Sequence, residues 1–232
     1  FTSCNCSLRQ GCLFIKGYRL TAIPKERFKM VHYKIIYFDS RGRAEVSRLL
    51  FVVAGKPYDD VRLTPDQWAA EKSKTPFGQL PVLEIDGERF GQSISIATFL
   101  AREFGFHGKN NIESLKIDQA VQLIVDFTTA AVKIFFEKDE VKKAEILKNI
   151  KEVETPKYLK LFETLLEKSG TGFFVGKTIT LADIFLYDIL YSFGQHKFLT
   201  TDGYPLVKAL VKNVESNDKI KAYLATRKQT VN

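Results

Sequence analysis

Cysteine is confined to one end of this chain. Of 232 residues, only Cys4, Cys6 and Cys12 carry a thiol. The body beyond them therefore holds no disulfide framework, cysteine nucleophile or thiolate metal site. Long apolar runs are absent too, so no membrane-spanning helix is expected. The three histidines, His32, His107 and His196, are scattered, with no metal-ligand spacing and no evident acid–base partner. No bound metal is expected. The GxGxxG, Walker A, GxSxG and HExxH patterns are all missing, which removes the commonest nucleotide, hydrolase and metalloprotease readings.

What is present is ordinary for a globular protein: 45% hydrophobic, 27% charged and 12% aromatic residues. That balance excludes wholesale disorder. A chain of this length buries roughly 70% of its unfolded surface and needs no covalent staples. The net charge of +8 invites a nucleic-acid reading, but its distribution argues against one. Residues 1–29 hold six basic residues and one acid, Glu26, and so carry five of the eight charges. Three remain for residues 30–232, an ordinary solvated surface rather than a footprint for phosphates.

Met30 is the only methionine, and it stands directly before an alternating segment. The leader, 1–29, shows no helical or strand period. Its longest apolar run, Leu13-Phe14-Ile15, is far too short for a signal-peptide core. The expectation is a start at Met30, with 1–29 a non-native or disordered leader. The alternative is a genuine basic extension.

Two unlike halves follow. In the first, 30–107, the period keeps changing. Tyr33–Phe38 alternates as a strand. Arg43–Ala54 reads as a helix, with Val46, Leu49, Leu50 and Val53 on one face, and Gly55 ends it. Tyr58–Arg62 is a second strand, and Pro65 opens a short helix carrying Trp68. Pro81–Ile85 and Glu88–Gly91 form a hairpin about Asp86-Gly87. Ser93 starts a helix with Ile96, Ala97, Phe99, Leu100 and Phe104 on its apolar side. The order is β-α-β-α-β-β-α. The second half, 112–232, reads as helices only. Ile117, Val121, Ile124, Phe127, Ala131 and Ile134 mark a long amphipathic one. Lys138–Glu154 is a solvated helix face. Leu181–Leu190 is apolar nearly all round, so that helix is buried, and Thr180–Asp183 before it is a capping box.

Several residues invite a chemical reading, each beside a plainer one. Tyr37 ends the first strand and Arg41-Gly42-Arg43 follows at a helix start. Two arginines there are electrostatically unfavourable, so an anion or hydroxyl must compensate them. The plain alternative is a core tyrosine beside two solvated arginines. Gln92-Ser93 precede a helix whose free N–H groups suit a carboxylate, unless Ser93 is merely an N-cap. Gln122, Asp126, Thr129 and Lys133 form a polar stripe that lines a cleft or a subunit interface, or is simply solvated. Trp68 and Lys72, four apart, could reach one anionic ligand, or Trp68 could be core filler. Pro81 is either an ordinary trans proline at a strand edge or a cis one that turns Leu80 outward.

Taken together, these segments resemble a family. Tyr33–Arg48, Trp68–Pro81, Gln92-Ser93 and Thr171-Gly172 through Thr180–Asp183 are similar to the cytosolic glutathione transferases. They are nearest the sigma class, with its invertebrate members and the glutathione-dependent prostaglandin D synthases. The resemblance spans residues 30–232. Its most specific pieces are Tyr37 to Glu45 and Phe77 to Pro81.

The resemblance implies an α/β thioredoxin-like N-terminal domain, an all-helical C-terminal domain, and a cytoplasmic homodimer with its cleft between the domains. It implies a detoxifying transferase with glutathione as co-substrate. Tyr37 is then the catalytic hydroxyl, with Arg43 adding positive potential. Arg43, Trp68 and Lys72 hold the glycine end or the active-site edge. Phe38 and Gly78 belong to the same glutathione site, Gln79 and Leu80 pair through their backbones, and Pro81 is cis. Gln92 and Ser93 grip the γ-glutamyl end, and Asp126 of the partner subunit reaches its amine. Phe38, Phe185 and Ile189 are expected to line the pocket for an apolar electrophile. The chain departs from the vertebrate prostaglandin synthases at Gln122, Val125 and Lys133, against prostaglandin specialisation and against an aspartate-bound divalent metal. The implied activity is conjugation of glutathione to small apolar electrophiles, with reduction of lipid hydroperoxides beside it. Prostaglandin isomerisation and a non-catalytic, ligand-carrying relative are the alternatives. No nucleic-acid or membrane partner is expected.

Overall fold

The computed structural model describes residues 14–15, 18–19, 31–196 and 199–230. In the leader, Phe14–Ile15 (β1) and Tyr18–Arg19 (β2) pair antiparallel, with Phe14 opposite Arg19 and Ile15 opposite Tyr18. Two residues per strand are too few to show a period. Cys4, Cys6, Cys12 and Met30 lie outside the described residues.

The body begins with a mixed sheet. Tyr33–Phe38 (β3) lies between Asp59–Leu63 (β4), parallel to it, and Val82–Ile85 (β5), antiparallel to it. Glu88–Phe90 (β6) closes the far edge, in the order β4-β3-β5-β6. Strand side chains alternate between faces, and that alternation divides the core. Tyr33, Ile35, Tyr37 and Leu83 turn to the main core beneath Glu45–Ala54 (α1) and Ser93–Phe104 (α3). Ile36, Leu63 and Val82 turn to a smaller cluster with Trp68 of Pro65–Glu71 (α2).

The expected element order holds, with shifted edges. Residues 42–44 form a 3₁₀ turn rather than the first turn of α1, because Gly42 sits at φ +39°. Gly55 ends α1 in the left-handed conformation, as its lack of a Cβ permits. The ladder of β5 begins at Val82, one residue after Pro81.

The second part is helical: Asn111–Val132 (α4), Glu140–Asn149 (α5), Thr155–Ser169 (α6), Leu181–Gln195 (α7), Pro205–Glu215 (α8) and Asp218–Thr226 (α9). Lys138–Glu154 is not one solvated face. After α5 it becomes a π-helical turn, and Ile150 is buried there. α7 is the central rod, and Phe193 on it meets Phe127 of α4 edge-on at 5.5 Å. Its capping box is formed: Asp183 accepts from the Thr180 N–H and hydroxyl, each at 2.7 Å, and from the Phe174 N–H at 2.9 Å. Burial pushes this carboxyl up to about 6 against the pull of those donors. The two parts meet where α1 packs on α7 and α9. Among the described residues, no helix is long and apolar enough to cross a membrane.

Candidate functional site

Tyr37 is the penultimate residue of β3, with its ring buried and its hydroxyl at the start of the next turn. The Arg43 N–H donates to that hydroxyl at 3.2 Å. Gly42 makes the approach possible: a Cβ there would lie 2.6 Å from Tyr37 Oη and 2.8 Å from the ring. Only glycine fits both the positive φ and the contact. Its role was readable from the Arg-Gly-Arg triplet but not assigned. The Arg43 side chain is exposed. Phe38 is half-buried, edge-on to Tyr37 at 5.5 Å and to Trp68 at 5.8 Å.

A second group gathers around the residues before β5 and α3. Lys72 follows α2, and its Cε lies 3.8 Å from where a Gly78 Cβ would stand. The Phe77 ring covers Gly91, so closely that a Cβ there would meet it at 2.8 Å. These contacts bring Lys72, the 77–80 segment and Gly91-Gln92-Ser93 together. Gln79 is exposed, and the Leu80–Pro81 bond is cis, not the trans alternative. Leu80 precedes the ladder, which starts at the Ile36–Val82 pair, so its backbone is not used by β3.

The start of α3 is left open. Its N-cap is Gln92, not Ser93, with φ +71° and no side-chain cap bond. Ser93 is the first helical residue and half-buried. Helix N-termini present unpaired N–H groups and partial positive charge, a standing site for a carboxylate.

At Arg41 the expected anion and hydroxyl come from the chain itself, and the solvated alternative fails. No ligand is needed to compensate it, because it is buried against the second part of the chain. Its Nη2 is 3.4 Å from Asp188 Oδ1 on α7 and donates to the Ser192 hydroxyl, and its guanidinium lies 4.5 Å over Tyr191. Fully buried Arg48 continues the network. It reaches Asp60 at 2.9 Å, Glu45 at 3.1 Å, and the carbonyls of Ser40 and Arg41 at 2.9 and 3.2 Å. Glu45 also accepts from Arg227 at 2.8 Å and from the Tyr223 hydroxyl at 3.2 Å. Burial, then the charge of Glu45, push the Asp188 carboxyl up to about 7, against the pull of Arg41 and Arg227. Asp188, in mid-helix where it caps nothing, was the available sign that a buried cation awaited it.

The remaining expected residues are dispersed. Asp126, Gln122 and Thr129 are exposed on α4, as is Lys133 just beyond its end, while Val125 is half-buried. Phe185 and Ile189 belong to the hydrophobic core, 8% and 9% exposed, so each offers an electrophile one edge at most. Two histidines thought bland have acidic neighbours: His107 Nε2 lies 3.1 Å from Asp118, and His32 Nε2 lies 3.1 Å from Asp59 at the surface.

Known proteins are similar to this chain in sequence and fold. The family "Glutathione S-transferase, N-terminal domain" matches residues 33–102, and "Glutathione S-transferase, C-terminal domain" matches 125–227. Glutathione S-transferase 3 of Caenorhabditis elegans is 38% identical over 207 residues, covering 87% of this chain and 99% of that one. S-crystallin SL11 of Nototodarus sloanii is 37% identical over 204 residues, with the same coverage. Among solved structures, prostaglandin synthase D of Nilaparvata lugens superposes with a TM-score of 0.80 at 32% identity, covering 86% of this chain and all of that one. Monomeric Na-GST-3 of the hookworm Necator americanus gives 0.78 at 36%, covering 86% and 98%. With both halves of its body matched and full-length relatives above 30% identity, this chain belongs to the glutathione transferase family.

Proposed function

We propose that the protein is a sigma-like glutathione transferase that ionises the glutathione thiol at Tyr37 and adds it to small apolar electrophiles, reducing lipid hydroperoxides as well. One observation carries this reading. Tyr37 Oη accepts from the Arg43 N–H, which leaves the hydroxyl proton to be donated outward. A thiol near pKa 8.5 is mostly protonated at neutral pH, and only the thiolate attacks. A hydrogen bond to the ionised sulfur favours it and lowers its pKa. Because the hydroxyl is itself an acceptor, its donation is strengthened. A charge-assisted bond of roughly 1.5–3 kcal/mol corresponds to about one to two pKa units.

The tripeptide then lies from Tyr37 to α3. Its γ-glutamyl carboxylate meets the N–H groups of the open α3 turn beside Gln92 and Ser93. The backbones of Gln79 and Leu80 pair with its middle, Gly78 lets it pass close, and Pro81 holds that turn. Trp68, Lys72 and Arg43 take the glycine carboxylate. The electrophile rests on Phe38, with the exposed edges of Phe185 and Ile189 beyond it. Such an apolar wall discriminates weakly between substrates, which fits broad acceptance.

We also propose a cytoplasmic homodimer in which Asp126 of one subunit pairs with the γ-glutamyl ammonium bound by the other. Asp126 is exposed on α4, as a donated residue must be. Asp126→Asn should weaken glutathione binding about tenfold, the worth of one charge-assisted bond, with the dimer intact. Calorimetry on sized protein, with Gln122→Ala as control, decides it. Equal affinity in Asp126→Asn, or a greater loss in Gln122→Ala, removes the shared site.

Retention on immobilised glutathione followed by turnover of a chromogenic aryl halide tests the transferase reading. Retention without turnover would favour a non-catalytic role, and absence of both would end the glutathione reading. Prostaglandin isomerisation would use the same thiolate. Gln122, Val125 and Lys133 argue against that specialisation, and product analysis with a prostaglandin endoperoxide separates the two.

A further inference from the structure

The five residues between β3 and α1 that lead to the Tyr37–Arg43 contact are tied down almost one by one. Asp39 is 3.4 Å from Arg62 and is also paired with Lys228. The Ser40 N–H donates to the Phe38 carbonyl at 2.7 Å. The carbonyls of Ser40 and Arg41 accept from Arg48, and the Arg41 side chain is held by Asp188, Ser192 and Tyr191. Gly42 lies against the Tyr37 ring, and the Arg43 N–H ends on its hydroxyl.

One of these anchors, Lys228, comes from the far end of the chain, and its neighbour Arg227 adds another at Glu45. Arg227 leaves α9 in an extended conformation, with φ −61° and ψ 147°. Successive side chains on extended backbone point opposite ways, and here they reach two separate points. Arg227, 4% exposed, donates to Glu45 at 2.8 Å and lies 4.6 Å over Tyr191, the ring that also receives Arg41. Lys228 reaches Asp39, 189 positions earlier in sequence. Arg227 therefore holds the segment just beyond its end and Lys228 holds it at its beginning.

We propose that Arg227 and Lys228 are positioning residues for the transferase reaction: they clamp residues 39–45 from both sides and thereby fix the Arg43 amide on the Tyr37 hydroxyl. Neither touches glutathione. They act through the geometry of the hydroxyl, so their loss should appear in thiol ionisation and turnover rather than in glutathione binding. The inference rests on the reading of Tyr37 as the thiol's partner, and its test separates the two.

The full-length variants are Arg227→Met, Arg227→Lys, Lys228→Ala, Tyr37→Phe and, as control, Lys208→Ala. The control removes a pair with Asp202 at 3.5 Å whose lysine is 55% exposed, against 60% for Lys228. The readouts are the ultraviolet absorbance of bound thiolate against pH, kcat, and KM for glutathione. Arg227→Met should lower kcat about three- to tenfold and raise the thiol titration by about half a unit to one unit, with KM changed less than about twofold. Arg227→Lys should recover part of both losses. Lys228→Ala should move both in the same direction by less, and Lys208→Ala neither. If Tyr37→Phe shifts the titration while the Arg227 and Lys228 variants do not, the clamp is structural only and the inference falls alone. It falls equally if those variants raise KM with the titration fixed. If Tyr37→Phe leaves the titration unmoved, the Tyr37 reading fails and takes this inference with it. Should Arg227→Met not fold, Lys228→Ala and Asp39→Asn decide by the same readouts.

Discussion

α1 and α3 pack side by side, yet their first turns are finished in opposite ways. At α1 no side chain caps the helix either, but the turn before it is enclosed by the protein's own charges: Arg41 meets Asp188, Glu45 meets Arg48 and Arg227, and Arg48 holds the carbonyls of Ser40 and Arg41. At α3 it adds nothing. Gln92 makes no side-chain cap bond, as Glu154 and Tyr204 make none at α6 and α8, whereas Thr64, Asn110, Asp139, Thr180 and Asn217 cap α2, α4, α5, α7 and α9. The difference separates two needs. On the proposed reading, the Tyr37 hydroxyl must be held still before glutathione arrives, so its surroundings are completed internally. A ligand carboxylate needs unpaired donors, so the turn that receives it stays incomplete.

Removing the keystone of the filled end should have the largest effect. Glu45 is wholly buried and serves Arg48, Arg227 and the Tyr223 hydroxyl. Breaking a buried pair by removing one partner leaves an uncompensated charge and costs about 3–5 kcal/mol. Glu45→Ala should lose that much by denaturant titration. A loss under about 1 kcal/mol, the scale of a surface pair, would mean the network does not hold the α1 end.

Tyr37→Phe comes next, touching chemistry rather than folding. Turnover should fall about a hundredfold, the scale of one donor lost from a developing anion, while calorimetric glutathione affinity stays near wild type. A large affinity loss with turnover preserved would make Tyr37 a binding residue only.

Ser93→Ala probes the open end. Ser93 is not the cap of α3, so stability should change by less than about 0.5 kcal/mol. Glutathione affinity should fall about tenfold, which is about 1.4 kcal/mol. The reverse pattern, lost stability with affinity kept, would erase the contrast between the two helix starts.

The smallest effect belongs to a charge far from both in role. Glu84 accepts from Lys34 at 2.7 Å and from Arg89 at 2.8 Å, and these bonds hold its carboxyl below the ordinary 4.5. A depressed carboxylate stabilises above its unfolded pKa, and that contribution fades as pH falls through the folded value. Glu84→Gln should therefore flatten the acid limb of stability below about pH 4.5 without altering glutathione affinity. An altered affinity would mean that charges outside the two helix starts also shape the site.

Much of this was legible in the sequence, for local reasons. Periods of two and near four gave the element order, and Gly55 and Thr180–Asp183 fixed a helix end and a helix start because their chemistry is local. Tyr37, Gly78, Gln92 and Ser93 were legible through motifs that match a family. The 3₁₀ turn at 42–44 was missed because it depends on Gly42 packing against a ring, a contact no period encodes. That an anion or hydroxyl compensates Arg41 was legible, but its source was not, because Asp188 stands 147 positions away. Phe185 and Ile189 show the opposite limit: a helix that is apolar all round does not reveal which side faces a pocket. Asp126 was legible only through the family motif, since on the proposed reading its partner belongs to another subunit.

The most direct test is a crystal structure of the protein with glutathione bound. The tripeptide sulfur should lie within hydrogen-bond distance of Tyr37 Oη, about 3–3.5 Å, with the γ-glutamyl carboxylate on the N–H groups at Ser93. A glutathione bound elsewhere, or one whose sulfur turns away from Tyr37 while α3 stays empty, would contradict the account of both helix starts.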